Sequence, residues 1–166
     1  MIEIERKYII MKPDIEYLKE LLGYSESKIL QIYLNSENSV THRIRRREFQ
    51  SSVVYTETKK RRIDKMSAEE LEREITKEEF DSLALNVMTG TKPLNKIRYT
   101  FRYLGKLFEV DIYPEWESTA ILETELVSRD EAVAFPEFIR VVKEVTGNPA
   151  YSNASMSKKF PEESRV

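Results

Sequence analysis

The chain has no cysteine, which removes thiol nucleophiles, disulfides and thiolate metal sites together. Histidine occurs once, at His42, too few for a Ser-His-Asp relay or a histidine-rich zinc site. Any metal chemistry would therefore use oxygen ligands, the preference of Mg²⁺, Mn²⁺ or Ca²⁺. No apolar run approaches the roughly 20 residues of a membrane span. The first residues lack a signal-peptide core, so the expected location is cytoplasmic. Net charge is also small: 27 bases nearly cancel 29 acids. That balance argues against bulk attraction to nucleic acid or an anionic membrane.

What the chain has is charge, 34% of its residues, in an unusual arrangement. Glu3-Ile4-Glu5-Arg6-Lys7 puts Glu3, Glu5 and Lys7 on one face of a strand, with the carboxylates about 6–7 Å apart. The pattern recurs along the chain. Arg43, Arg45 and Arg47 share a face, as do Lys59 and Arg61, Glu72 and Glu74, Lys96 and Arg98, Glu109 and Asp111, and Glu123 and Glu125. Any one strand of this kind fits a solvated outer surface. As a set, the charges segregate by sign from strand to strand, and like charges at i, i+2 repel unless something compensates them. If the sheet closes into a barrel, the charged faces line a lumen and the apolar faces lie outside. Carboxylates crowded there suit one or two divalent ions, and facing Arg and Lys suit a polyanion. A phosphate chain with its metal satisfies both.

The remaining pattern gives strands near 2–10, 29–35, 40–49, 52–62, 66–75, 96–104, 106–113 and 121–127, with Asn35–Ser39 as a hairpin turn. Helices are expected at 13–23, at 76–89 from the capping box Thr76-Lys77-Glu78-Glu79, and at 137–146. The expected fold class is α+β: an eight-stranded antiparallel β-barrel with a few flanking helices. Residues 1–157 form a single domain, and 158–166 a flexible tail that frays from about Phe160. Trp116 stacks on an organic group or packs in a loop.

The motif Glu3-Ile4-Glu5-Arg6-Lys7 resembles the ExExK signature of the CYTH superfamily, the triphosphate tunnel metalloenzymes. Arg43-Ile44-Arg45, Thr58-Lys59, Glu72-Arg73-Glu74-Ile75, Lys96-Ile97-Arg98-Tyr99, Glu109-Val110-Asp111 and Glu123-Thr124-Glu125-Leu126 follow in that family's order. The closing stretch Thr146–Ser155 resembles the end of compact bacterial members, so the likeness covers roughly 2–157. Two stretches depart from the pattern. Thr58-Lys59-Lys60 leaves the choice of lysine open, and 114–120 lacks the family's usual glycines.

The resemblance implies an eight-stranded tunnel that binds triphosphates, using Mg²⁺ or Mn²⁺ as one or two ions. It implies Glu3, Glu5, Asp111, Glu123 and Glu125 as metal ligands. Lys7, Arg43, Arg45, Lys59, Lys96 and Arg98 would bind substrate. Glu72, Glu74, Lys7 and Arg45 would serve catalysis, Glu72 and Glu74 with internal salt bridging as their alternative role. The implied reaction is metal-dependent hydrolysis of a small-molecule triphosphate, foremost inorganic tripolyphosphate. Thiamine triphosphatase and class IV-type adenylate cyclase are the enzymatic alternatives, and a polyphosphate- or RNA-binding module the non-enzymatic one. No membrane or nucleic-acid partner is expected, and a homodimer is left open.

Overall fold

The computed structural model describes residues 1–37 and 39–165. Asn38, in the expected turn at Asn35–Ser39, lies outside them, as does Val166 at the end of the tail.

Strands β1 (Ile2–Met11), β2 (Ser25–Leu34), β3 (Val40–Glu48), β4 (Val53–Arg62), β5 (Ser67–Ile75), β6 (Leu94–Tyr103), β7 (Lys106–Ile112) and β8 (Thr119–Glu125) pair antiparallel in the order β5-β4-β3-β2-β6-β7-β8-β1. β1 then returns to pair with β5, closing an eight-stranded barrel. A ninth strand, β9 (Val141–Glu144), adds to β1.

Closure depends on β1 changing partners along one edge. Ile2–Ile4 pair with Ser67–Glu69 of β5, and the Glu5 amide donates to Met66 O at 2.9 Å. Above that point β9 takes over opposite Tyr8–Ile10, and the Val145 amide donates to Lys7 O at 2.8 Å. The opposite edge of β1 pairs with β8 from Glu5 to Met11.

Helix 137–146 does not form: Glu137 and Phe138 make a turn, closed by the Ile139 amide donating to Pro136 O at 3.0 Å, and the chain then enters β9. Their apolar spacing fits a helix, but the upper edge of β1 carries backbone groups that need partners, and Val141 and Val142 are good strand residues. The expected helix at 13–23 shortens to α1 (Ile15–Lys19), capped by the Asp14 carboxylate, which accepts from the Glu16 amide. The Thr76 capping box forms as read. It opens α2 (Lys77–Leu83), and a 3-10 turn at Ala84–Asn86 follows. A further helix, α3 (Asn153–Lys158), has no counterpart among the expected elements.

Most apolar faces lie outside the barrel. Tyr8, Ile10, Tyr99, Phe101, Phe108, Val110 and Leu122 pack beneath Leu18 of α1 and beneath Val133, Phe135 and Phe138. Ile32, Leu34, Ile44 and Ile75 pack beneath Phe80 of α2.

One end of the lumen is also apolar. Ile9, Leu94 and Ile121 share their strand faces with Lys7, Lys96 and Glu123, and they pack with Tyr113, Trp116, Val145, Tyr151 and Met156. This cluster closes that end of the barrel. Trp116 is thus a plug residue, 3% exposed, and it donates through Nε1 to Pro161 O at 3.1 Å.

The tail docks rather than frays. Phe160 meets the rings of Tyr113 and Trp116 at 5.4 and 5.8 Å between centroids. The Glu163 carboxylate accepts from the backbone amides of Glu117, Ser118 and Thr119. Composition marks the tail as polar, but Phe160 has apolar surface to bury and 117–119 has amides to satisfy.

Candidate active site

Above the plug, the lumen opens into a cavity of about 580 Å³ whose walls carry opposite charge. The acidic wall comes from β1, β5, β7 and β8: Glu3, Glu5, Glu70, Glu72, Glu109, Glu123 and Glu125. The basic wall is mainly Arg43, Arg45 and Arg47 of β3 with Lys60 and Arg62 of β4. Segregation follows from the pleat and the order of strands. Each strand sends one parity inward, and the basic strands β3 and β4 are neighbours.

The two walls are incompletely neutralised. Glu5 and Glu125 are register partners across β1 and β8. Burial, and then repulsion from Glu123, pushes Glu5 up to about 8. Burial followed by Glu3 and Glu109 also raises Glu125. Lys7 balances part of this, with Nζ 3.4 Å from Glu123 and donating to Tyr151 O at 3.1 Å.

On the basic wall, Arg45 gives Nε and one terminal nitrogen to Gln31 Oε1, a neutral acceptor, at 3.1 and 2.7 Å. Burial and repulsion from Arg43 and Arg98 lower its affinity for its proton. Arg43 Nε is buried without a hydrogen-bond partner. Buried donors are rarely left unpaired, so this one marks a place for an acceptor.

Several expected residues move. Lys60, not Lys59, is the lumen lysine of β4. Thr58, Lys60 and Arg62 point in, whereas Lys59 is exposed on the outer face. Arg47 lines the cavity with Arg43 and Arg45 and donates from Nε to Ser27 Oγ at 2.8 Å.

Asp111, expected as a metal ligand, is held by the protein's own bases. Arg98 donates to both of its oxygens at 2.7 and 2.8 Å, and Lys96 Nζ adds a contact at 2.8 Å. Lys96 is likewise spent on Asp111, and also donates to Asn153 Oδ1 at 3.4 Å, so it lies below the cavity wall. Burial pushes Lys96 down to about 7, with Arg98 and Arg45 reinforcing the push and Asp111 opposing it. Arg98 does line the cavity while holding Asp111 and Glu109. Glu72 lines it and accepts from Thr58 Oγ1 at 2.8 Å, whereas Glu74 is exposed and is not part of the wall.

The charged set also extends beyond the expected one. Glu70, Arg62 and Tyr33 line the cavity, and the crossing segment after β9 contributes Thr146–Pro149 and Ser152–Ala154. Thr146 Oγ1 accepts from the Lys7 amide at 3.0 Å, which ties the crossing to β1. Gly147 sits at φ +71° against Lys65, where a Cβ would come within 2.7 Å of the lysine Cβ.

An all-carboxylate donor set on an under-neutralised wall suits a hard divalent cation. In this conformation the acids do not yet converge: no group of three or more histidine, aspartate or glutamate side chains able to hold a metal forms among the described residues. Lys60 lies among these acids. Its Nζ lies 2.6 Å from Glu3, 3.8 Å from Glu5 and 3.7 Å from Glu70.

A closed antiparallel barrel whose lumen carries facing acidic and basic walls fits the resemblance to the triphosphate tunnel proteins. Comparison with known proteins bears out that resemblance. No family model matches the chain. A curated relative, an inorganic triphosphatase of Acetivibrio thermocellus, is 29% identical over 157 residues, covering 94% of this chain and 93% of its own. The crystal structure of an inorganic triphosphatase matches with 25% identity and a TM-score of 0.59, over 96% of this chain and 97% of the other. A protein from Pyrococcus horikoshii shares the fold at a TM-score of 0.59 and 21% identity, over 78% of this chain and 81% of the other. No helix among the described residues is long and apolar enough to cross a membrane.

Proposed function

We propose that this chain hydrolyses a phosphoanhydride bond of inorganic triphosphate with the help of a divalent cation, Mg²⁺ or Mn²⁺. The observation that carries the reading is the split cavity. Among the described residues Arg43 and Arg45 face it without a carboxylate in ion-pair contact, while burial and neighbouring acids raise Glu5 and Glu125. A linear polyphosphate with its cation supplies what each wall lacks. The similarity to two inorganic triphosphatases supports the same substrate class.

Phosphoryl transfer depends chiefly on positioning and charge neutralisation, which these residues are placed to provide. Glu3, Glu5, Glu123 and Glu125 would hold the cation. Bound there, it would screen phosphate oxygens and acidify an attacking water. Lys7, Arg43, Arg45, Lys60 and Arg98 would hold the phosphate chain and stabilise charge developing on the transferred group. Arg43 Nε would gain its missing acceptor from a phosphate oxygen. Glu72 stands in the same wall, fixed by Thr58, where it could orient the water.

Among the described residues, Tyr33 is the one aromatic side chain lining the cavity, and its ring is buried. Trp116 belongs to the plug. A base or thiazole ring therefore finds no stacking surface there, which favours inorganic triphosphate over nucleoside or thiamine triphosphates. The proposal includes work in the cytoplasm.

Phosphate release from tripolyphosphate, thiamine triphosphate and ATP, each with Mg²⁺ or Mn²⁺, tests it, with cyclic AMP followed in the ATP arm. Tripolyphosphate should turn over fastest, and only with metal. Preferential turnover of ATP to cyclic AMP, or no turnover of tripolyphosphate with either ion, would refute it.

A further inference from the structure

Lys60 stands where the proposed cation would bind. Its ammonium is ringed by three carboxylates, Glu3 at 2.6 Å, Glu5 at 3.8 Å and Glu70 at 3.7 Å. Two of these, Glu3 and Glu5, are the acids of the opening motif. The lysine also borders the other half of the site. On β4, its register partners are Thr41 of β3 on one side and Glu70 of β5 on the other. Thr41 and Arg43 project from the same face of β3, so Lys60 sits at the junction of the acidic and basic walls. Lysine suits exchange between them, being a compact point charge on a flexible stem, whereas a bidentate arginine would be locked in one geometry.

We infer that Lys60 is a tethered stand-in for the divalent cation. With no metal present it occupies the acidic wall and holds Glu3 and Glu5 apart from a metal-binding arrangement. A divalent cation displaces it, and the freed ammonium turns to the phosphate chain. Metal and phosphate then bind cooperatively, because the phosphate gives Lys60 a partner once it leaves the carboxylates. This rests on the proposal that the acidic wall binds metal. It adds that the wall is already filled by one of the protein's own substrate-binding residues, which links the two ligands.

Two measurements on the full chain test it. The first is the acetylation rate of Lys60, read by mass spectrometry of its peptide. Displacement predicts that Mg²⁺ alone raises the rate about fivefold or more. Tripolyphosphate added with Ca²⁺ in place of Mg²⁺ should restore protection. The second is Mn²⁺ affinity by electron paramagnetic resonance, which should tighten by about fivefold or more in Lys60→Met and in Lys60→Gln, but not in the outer-face control Lys59→Met. Thermal melting checks that each variant is folded. If the wild type binds Mn²⁺ but Mg²⁺ leaves Lys60 acetylation unchanged, Lys60 is a fixed brace and the inference fails while the metal site stands. If neither wild type nor variants bind Mn²⁺, both fail.

Discussion

Lys96 Nζ lies 2.8 Å from the Asp111 carboxylate, and neither side chain belongs to the cavity wall just above them. With Arg98 bridging upward, the three form a charged floor between the apolar plug and the lumen. Lys96 and Asp111 support the cavity from below, and only Arg98 of the three reaches its wall.

Replacing Asp111 should accordingly damage the fold more than the metal site. Asp111→Asn leaves Lys96 and Arg98 buried beside a neutral amide, a loss of about 3–5 kcal/mol. Denaturant unfolding should show that loss, while Mn²⁺ affinity in the folded fraction stays at the wild-type level. A loss of metal binding with unchanged stability would restore Asp111 to the ligand set.

Glu5→Gln removes a carboxylate from the centre of the acidic wall. Tripolyphosphate hydrolysis should fall by on the order of 100-fold or more, with melting behaviour preserved or improved in metal-free buffer. Wild-type turnover in this variant would remove Glu5 from the proposed metal site.

Stability of the metal-free protein should vary with pH through the same residue. Its carboxyl is raised to about 8 by burial and by Glu123, above an ordinary value near 4.5. The folded protein therefore keeps a proton that the unfolded chain has released. The stabilisation this proton gives is complete below about pH 4.5 and is lost as pH rises to about 8. Melting in chelator across that window should show the decline, and Glu5→Gln should flatten it. Identical slopes in both proteins would argue against the crowded, cation-poor wall.

The two adjacent lysines of β4 should behave differently. Lys60→Ala should lower kcat/KM by on the order of 100-fold, whereas Lys59→Ala, on the outer face, should stay near wild type. The reverse ranking in steady-state kinetics would mean that β4 is shifted by one residue.

Gly147→Ala adds a methyl group where Lys65 already sits, at a backbone angle that side chains avoid. The cost should be about 1–3 kcal/mol in thermal unfolding. Because Thr146–Pro149 line the cavity, KM should rise as well.

Much of the barrel was legible because strand alternation is a strict period, and the charged parities declare themselves. The β4 lysine shows where the reading can slip. In Tyr55-Thr56-Glu57-Thr58-Lys59-Lys60-Arg61-Arg62 both parities end in bases, so charge alone cannot choose between them. Tyr55 can: it packs against Phe80 outside the barrel, and Glu57, Lys59 and Arg61 share its parity. Asp111 was assigned the correct face, but its depth along the barrel depends on how far strands are staggered, which a single strand does not encode. The segment 137–146 carries an apolar pattern that suits a helix. Its fate was decided by the upper edge of β1, a partner distant in sequence.

The short pairing of Ile2–Ile4 with β5 has a kinetic consequence. β1 joins the start of the chain to β8 on one edge and to β5 on the other, so the last gap in the wall is closed by contacts of long sequence separation. Such contacts carry the largest loop-closure cost and form slowly. Glu3 and Glu5 lie within this late-closing strand. Regain of metal binding during refolding should therefore lag behind the return of strand signal, and report the moment at which the wall becomes continuous.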